Sequence, residues 1–218
     1  MNTHPLLSTA YLPPIEYFSF LMGKDVWIES RENYSKQSYR NRARILTGNG
    51  IQVLSVPIIH ETHNPPITEV RIEYNTPWQR NHWRAIETAY NASPYYLYYK
   101  DILQPFFQQH FEFLFDFNLQ ILKALTKTLR IEPNIYLTTE YEAATTPDLR
   151  MLIHPKQCTQ PQYPLQLTEP YYQVFDDRFG FTPNLSIIDL LFNMGPQSIQ
   201  YLETLNQQFK SSITFDGK

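Results

Sequence analysis

The beginning of the chain alternates between apolar runs and breaks, which predicts a strand, a helix and a second strand. Leu6 to Leu12 is an apolar run that Pro13-Pro14 ends, and the apolar positions of residues 14–23 then recur every three or four residues. Gly23 ends this predicted helix, and Val26–Ile28 follows as the next strand. Strands joined through a helix are typically parallel, because the crossover returns the chain to the same end of the sheet.

The next segments predict a hairpin and a helical middle section. Arg44–Leu46 and Ile51–Ile58 flank Gly48-Asn49-Gly50, and Asn-Gly favours the positive φ angles of tight hairpin turns. Val70–Tyr74 alternates in the manner of a half-buried strand. From about residue 77 to about residue 130, apolar residues recur at helical spacing, which predicts three helices.

The last third of the chain predicts a strand, an irregular segment and two helices. Ile135–Leu137 has the composition of a strand, whereas residues 143–170 carry five prolines and predict little regular structure. Ser186 and Asp189 match the pattern of a helix start, and Pro196 begins the final helix. The predicted fold class is α/β: a small, partly parallel, Rossmann-like sheet with a hairpin, a helical middle section and two C-terminal helices.

Composition narrows the class of protein. The 218 residues are 42% hydrophobic and 15% aromatic, which is typical of a folded chain. The formal net charge of −3 lacks the basic surplus of a general nucleic-acid binder. The chain shows neither a secretory signal pattern nor an apolar run long enough for a membrane helix, so the predicted location is the cytoplasm. The single cysteine, Cys158, excludes an internal disulfide.

Five blocks of sequence, in a fixed order, carry a resemblance to a known family. The blocks are Tyr11–Phe18, Asp25–Ile28, Asn41–Pro57, Trp78–Tyr95 and Phe181–Pro196. Through them the chain resembles the WbqC-like protein family over nearly its whole length, which implies one domain over residues 1–218. The chain departs from the family's pattern at Thr9, Ala10 and Pro14.

The family is associated with bacterial surface-polysaccharide (O-antigen) gene clusters. The resemblance therefore implies a transferase that acts on a nucleotide-linked or amino-sugar intermediate, with a small anionic substrate as its partner. It names no cofactor and no mechanism. The alternative is a noncatalytic interaction protein or scaffold of the same pathway, which would use exposed Tyr and Phe side chains to form a homodimer.

A basic segment supplies the first candidates for substrate binding. If the basic segment is extended as a strand, Arg40, Arg42 and Arg44 would face one way and grip phosphate or carboxylate groups with their guanidinium forks. Asn41 joins them through the family resemblance. The alternative is a solvated strand edge with ordinary ion pairs, and the sequence does not separate the two.

The turn before the first helix is a second candidate for substrate binding. Backbone N–H groups at such a position bind phosphates in open α/β folds, and Tyr11 and Tyr17 would shape the pocket. The layout is similar to the opening unit of HIGH-type nucleotidyltransferases, but Pro13, Pro14 and Tyr17 stand where those enzymes use histidines. The alternative is that this segment only anchors the helix to the sheet.

Two residues are candidates for catalysis. His82 lies on an aromatic helical stripe and would act as a general acid or base if it lined a cleft, the alternative being a hydrogen-bonded core histidine. Glu140 follows the Ile135–Leu137 strand, where active-site residues often collect. No metal site is predicted, because His60 and His63 are three residues apart in a Pro-rich loop and not four apart on a helix.

Overall fold

The computed structural model describes residues 4–23, 25–59, 64–142, 148–155 and 169–212. The α/β class predicted from the sequence is confirmed. None of the described helices is long and apolar enough to cross a membrane. In chain order the elements are β1 (Leu6–Ser8), α1 (Ile15–Leu21), β2 (Asp25–Glu29), β3 (Arg42–Thr47), β4 (Gly50–Ser55), α2 (Trp78–Tyr90), α3 (Tyr96–Leu103), α4 (Leu114–Thr128), β5 (Asn134–Leu137), α5 (Asp176–Phe179), α6 (Ile187–Met194) and α7 (Ser198–Ser212), with short 3-10 turns at Ile67–Glu69, Gln104–Phe107 and Gly195–Gln197.

The main sheet consists of three parallel strands in the order β1-β2-β5. Leu6 pairs with Trp27 and Val26 pairs with Ile135, so β2 lies in the middle. Asp148 adds a parallel bridge to Leu6 on the other side of β1. The predicted parallel crossover is confirmed, and the three strands therefore end at the same edge of the sheet.

The first strand is shorter than predicted, and a buried helix follows it. Beyond Ser8 the backbone leaves the sheet, and the Tyr11 N–H donates to the Tyr39 carbonyl at 2.9 Å. Leu12 has a φ of +40°, so a non-glycine residue makes the bend that leads into α1. All residues of α1 are buried and the helix packs against α6 and α7, which explains why its apolar residues are not confined to one face.

The second sheet is the hairpin of β3 and β4. Its strands pair antiparallel, from Arg42 opposite Ser55 to Thr47 opposite Gly50. The chain reverses at Gly48-Asn49, and Gly50 takes a φ of +97°, which favours glycine. The predicted hairpin is confirmed, although β3 begins earlier than predicted. Because α2 packs against β3, the hairpin is joined to the helical middle section, which α2, α3 and α4 form.

The start of α6 packs onto the bend between β1 and α1. Ser186 Oγ donates to the Leu12 carbonyl at 2.8 Å, and the Ile187 N–H donates to the Pro13 carbonyl at 2.8 Å. α6 begins directly after Ser186, as the helix-start pattern predicted, but the expected side-chain capping is absent because the Ser186 and Asp189 side chains bind other segments of the chain. Asp189 is buried and accepts hydrogen bonds from three side chains, Tyr90 (2.9 Å), Tyr171 (2.6 Å) and Gln173 (3.1 Å).

The segment Val70–Tyr74, predicted as a strand, forms isolated bridges instead. Ile72 pairs with Ile58, whereas Arg71 pairs with Phe113. Because neighbouring residues find partners in different segments, no continuous ladder forms.

Three sequence hypotheses concern residues outside the described ranges. They involve the His60 and His63 pair, Cys158, and most of the predicted irregular segment 143–170.

Candidate functional site

A cavity of about 600 Å³ opens at the carboxyl edge of the main sheet. Residues that follow β2 form one wall, a residue that follows β5 forms another, and the segment that bridges to β1 contributes the third. In open parallel sheets ligands bind at this edge. The cavity is lined by Arg31, Glu32, Asn33, Arg40, Tyr141, Asp148, Arg150 and Met151.

Glu29, the last residue of β2, holds the walls of this cavity together. Its side chain is fully buried. Its carboxylate accepts hydrogen bonds from Thr138 Oγ1 (2.6 Å), the Arg31 N–H (2.8 Å), the Glu142 N–H (3.0 Å) and Arg150 Nη1 (3.2 Å). These donors come from the segments after β2, after β5 and beside β1. One carboxylate therefore fixes three segments relative to one another.

Arg150 is a buried cation with several acceptors. Its Nε and Nη2 donate to the Asp148 carboxylate at 2.9 and 2.6 Å, and Nη2 also donates to the Glu142 carbonyl at 2.7 Å. The hydrogen bonds to Asp148 raise the pKa of Arg150. Burial by itself would raise the pKa of Asp148, but its hydrogen bonds to Arg150 lower it. Both groups are therefore charged at neutral pH, and the guanidinium plane is held in place.

Arg40 and Glu32 form a second buried pair. Arg40 Nε donates to Glu32 Oε1 at 2.8 Å, Arg40 Nη2 contacts Glu32 Oε2, and both side chains are less than a tenth exposed. Ser8 Oγ joins the pair, because it accepts from Arg40 Nη2 at 2.8 Å and donates to Glu32 at 3.2 Å. The end of β1 is thereby tied to the cavity wall.

The lining favours an anion over a cation. Glu32 and Asp148 are already engaged by Arg40 and Arg150, and the guanidinium of Arg31 is exposed. Guanidinium groups in fixed positions recognise phosphate and carboxylate oxygens through directed N–H donors. Among the described residues, no group of three or more His, Cys, Asp or Glu side chains is arranged to hold a metal ion.

Tyr17 lines a narrow cleft that shares Arg40 and Arg150 with the main cavity. Its Oη donates to the Ser8 carbonyl at 2.9 Å. Burial raises the pKa of Tyr17 and the negative charge of Glu32 adds to the effect, so the phenol stays protonated. Tyr17 therefore holds the end of β1 through the Ser8 carbonyl, but it does not line the main cavity.

A second depression, of about 460 Å³, lies beside the hairpin. Arg42 and Asn41 line it together with Lys36 and Glu73. Asn41 Nδ2 donates to the Val56 carbonyl at 2.8 Å, while Arg42 Nε is buried without a partner among the described residues. The basic segment is therefore divided, because Arg40 and Asn41 are adjacent in the chain but face different cavities.

His82 and Tyr11 contact each other and line neither of the two cavities. Tyr11 Oη lies 2.9 Å from His82 Nδ1, and both side chains are buried. Trp78 packs edge-on to the imidazole at 5.2 Å between ring centroids, and Phe117 stacks on Tyr11 at 5.7 Å. Burial raises the pKa of Tyr11 and lowers that of His82 to about 4. The phenol is therefore the donor, and the neutral imidazole is a hydrogen-bonded core residue.

The two remaining predicted site residues, Glu140 and Arg44, lie outside the lining of the main cavity. Glu140 is exposed in the bend after β5, next to Tyr141 but outside the lining of the cavity. Arg44 is partly buried on β3, on the same face of the strand as Arg42. Arg40 is the only one of the predicted site residues that lines the main cavity, and the catalytic roles of His82 and Glu140 stay predictions.

Sequence reasoning missed Glu29, Glu32, Asp148 and Arg150. A signal existed for Glu29 and Glu32, because both follow a predicted strand at the end where parallel sheets bind ligands. No local pattern marked Asp148 or Arg150, which lie in the segment predicted to be irregular.

The sequence is similar to a known protein family and to a protein of known sequence. The model of the WbqC-like protein family matches residues 9–164 and 163–201. The chain is 28% identical over 233 residues to an uncharacterized protein of Mycobacterium tuberculosis, Rv1507c, and the match covers 95% of this chain and 100% of that protein. No solved structure matches the chain significantly.

Proposed function

The chain belongs to the WbqC-like protein family, and from this membership together with its main cavity we propose a transferase that acts on an anionic, nucleotide-linked or amino-sugar intermediate. The substrate would bind at the carboxyl edge of the parallel sheet. The proposed setting is the bacterial surface-polysaccharide pathway, in the cytoplasm. The observation that carries the proposal is the cavity of about 600 Å³ lined by the guanidinium groups of Arg31, Arg40 and Arg150.

The buried ion pairs support anion binding rather than stability alone. Buried pairs stabilise a fold poorly, because desolvation of the two charges offsets their attraction. Here two such pairs, Arg40–Glu32 and Arg150–Glu29, lie at one cavity and keep their cations in fixed positions. Among the described residues, Arg40 Nη1 has no hydrogen-bond partner, which leaves a donor for a ligand. Preorganised donors of this kind stabilise charge that develops during phosphoryl or glycosyl transfer.

Two cavities suit a reaction with two substrates. Asn33 and Arg40 line the main cavity, and their neighbours Tyr34 and Asn41 line the depression beside the hairpin. The segments that contain these residues thus form a shared wall. A donor in the main cavity and an acceptor beside the hairpin would bind on the two sides of this wall.

The proposal is tested by ligand-induced stabilisation of the full-length protein. Nucleoside-diphosphate sugars and the matching neutral sugars are compared by thermal unfolding. At a ligand concentration of about 100 times Kd, binding adds about 2.7 kcal/mol, which corresponds to a rise in Tm of roughly 5–10 °C for a chain of this size. We expect the charged ligands, and not the neutral ones, to give such a rise.

Two variants connect this response to the cavity. Arg31→Ala removes an exposed cation of the cavity wall, and Arg84→Ala removes an exposed cation of α2. Arg31→Ala is expected to weaken binding about threefold or more, whereas Arg84→Ala should bind as the wild type does. If no charged ligand raises the Tm, or if both variants respond equally, the proposal fails.

A noncatalytic interaction protein is the second candidate. Leu97 and Tyr98 on α3 are 68% and 76% exposed, and adjacent apolar side chains of this size are typical of interfaces. Light scattering over a dilution series tests self-association. A dimer that Tyr98→Ser dissociates would favour this candidate, and a monomer at every concentration would remove its support.

A further inference from the structure

Two exposed side chains distinguish one side of the main cavity from its charged walls. Tyr141 is 58% exposed and Met151 is 71% exposed, although both are apolar over most of their surface. Both line the cavity. Ligand sites combine a few directed polar groups with apolar and aromatic surface, and a thioether adapts readily to a flat ring.

A fixed cation covers one face of the Tyr141 ring. The central carbon of the Arg150 guanidinium lies 5.0 Å from the ring centroid, within the range of a cation–π contact. This guanidinium is itself held by Asp148, Glu29 and the Glu142 carbonyl. The guanidinium therefore occupies one face of the ring, and the exposure of Tyr141 leaves its other face for a planar group of a ligand.

From this geometry we infer that the main cavity binds a nucleoside diphosphate, with the nucleobase stacked on Tyr141 beside Met151 and the diphosphate on Arg31 and Arg40. The inference rests on the proposed function and specifies which part of the substrate each wall recognises. Aromatic side chains bind any base through its π face, because stacking does not depend on the hydrogen-bonding edge. Guanidinium groups bind the phosphate oxygens.

Other ligands would use only part of this cavity. A neutral sugar carries no phosphate for the guanidinium groups, and inorganic pyrophosphate carries no ring for Tyr141. A ligand with an anionic centre and a planar aromatic end engages both parts at once. A cavity of about 600 Å³ lies within the usual range for ligands of that size.

The test compares two ligands and three variants by isothermal titration calorimetry on the full-length protein. The probes are inorganic pyrophosphate and whichever of ADP, GDP, UDP and dTDP binds the wild type most tightly. The variants are Tyr141→Ala, Tyr141→Phe and the control Tyr172→Ala, which truncates a tyrosine that is 52% exposed and is not among the residues that line the cavity. All are surface substitutions, so folded protein is expected in each case, and far-UV circular dichroism checks it.

We expect Tyr141→Ala to weaken the nucleoside diphosphate at least about fivefold, the lower end of what loss of one stacked base produces. Its affinity for pyrophosphate should stay unchanged. Tyr141→Phe should bind both probes as the wild type does, because it keeps the ring and removes only the hydroxyl. Tyr172→Ala should leave both affinities unaltered.

Each contrary result points to a different failure. Equal affinity of Tyr141→Ala and Tyr172→Ala for the nucleoside diphosphate would overturn the stacking inference and leave the anion site standing. A parallel loss of both probes in Tyr141→Ala would also overturn it, since the ring would then act by holding Arg150. If the wild type binds pyrophosphate as tightly as every nucleoside diphosphate, the base makes no contact and the inference fails. Failure of the wild type to bind either probe would remove the proposed function as well.

Discussion

Lowering the pH from 7 to 4 should weaken the folded state through His82. Its Nδ1 accepts a hydrogen bond from Tyr11, and Trp78 and Phe117 pack around the pair. Burial lowers the pKa of His82 from 6.5 to about 4, and the Ser55 carbonyl opposes this change only in part. A protonated imidazole would lose the bond from Tyr11 and would carry a charge into an aromatic core.

The sign and size of the effect follow from proton binding. In the unfolded chain the imidazole binds a proton below pH 6.5, whereas in the folded chain it does so only near pH 4. Between these values the unfolded chain binds more protons, so the free energy of unfolding falls as the pH falls. Each pKa unit corresponds to about 1.4 kcal/mol, which gives a loss of about 2 kcal/mol by pH 5 and about 3 kcal/mol by pH 4.

The matched variant is His82→Gln. The amide oxygen of glutamine accepts from Tyr11 and its NH₂ group faces the Ser55 carbonyl, but the side chain does not titrate. Urea unfolding followed by tryptophan fluorescence gives the free energy of unfolding at each pH. Carboxylates titrate in both proteins, so the difference between the two curves isolates His82. The wild type should lose about 2 kcal/mol more than the variant between pH 7 and pH 5, and parallel curves would refute the reasoning.

Two further predictions concern stability and are measured by urea unfolding at neutral pH. Asp189→Ala leaves the buried hydroxyls of Tyr90 and Tyr171 without their acceptor, whereas Gln173 keeps the Thr182 carbonyl. It should lower the free energy of unfolding by about 3–5 kcal/mol. Asp116→Ala, at an exposed position in the first turn of α4, should change it by less than about 1 kcal/mol. A similar loss in both would contradict the role given to Asp189. Gly195→Ala puts a side chain on a residue with a φ of +55° and places its Cβ 2.5 Å from the Tyr95 ring. In the control Gly180→Ala, φ is +66° but no atom lies within 4 Å of the new Cβ. Gly195→Ala should therefore destabilise the fold by about 1–3 kcal/mol more than Gly180→Ala. Equal losses at the two glycines would show that Tyr95 moves aside freely.

Local signals in the sequence determined most of the elements. Apolar spacing marked α1 and the stripe of α2 that carries His82, and Gly48-Asn49-Gly50 marked the reversal between β3 and β4. The composition of Ile135–Leu137 marked β5. These signals succeed because helix and strand periodicity and turn geometry depend on residues close together in the chain.

The prediction that Arg40, Arg42 and Arg44 share one face of a strand is wrong for Arg40. β3 begins at Arg42, so Arg40 lies in the turn before it and is free of the strand's alternation. Its direction is set by Glu32, which is buried beside it. Arg42, within the strand, faces the depression beside the hairpin. At Ser186 and Asp189 the pattern located the helix start, but it did not predict the side-chain partners, which lie in segments distant along the chain.

The sequence by itself determined the α/β class, the order of the elements and, through its motif blocks, the family. Only the tertiary structure decided which charges share a cavity. Glu29 meets Arg150 across 121 positions of the chain, and Arg40 meets Ser8 across 32. A buried charge is tolerated where its attraction to a partner offsets the cost of its desolvation. Whether a partner is present depends on which segments the sheet brings together, not on any spacing along the chain.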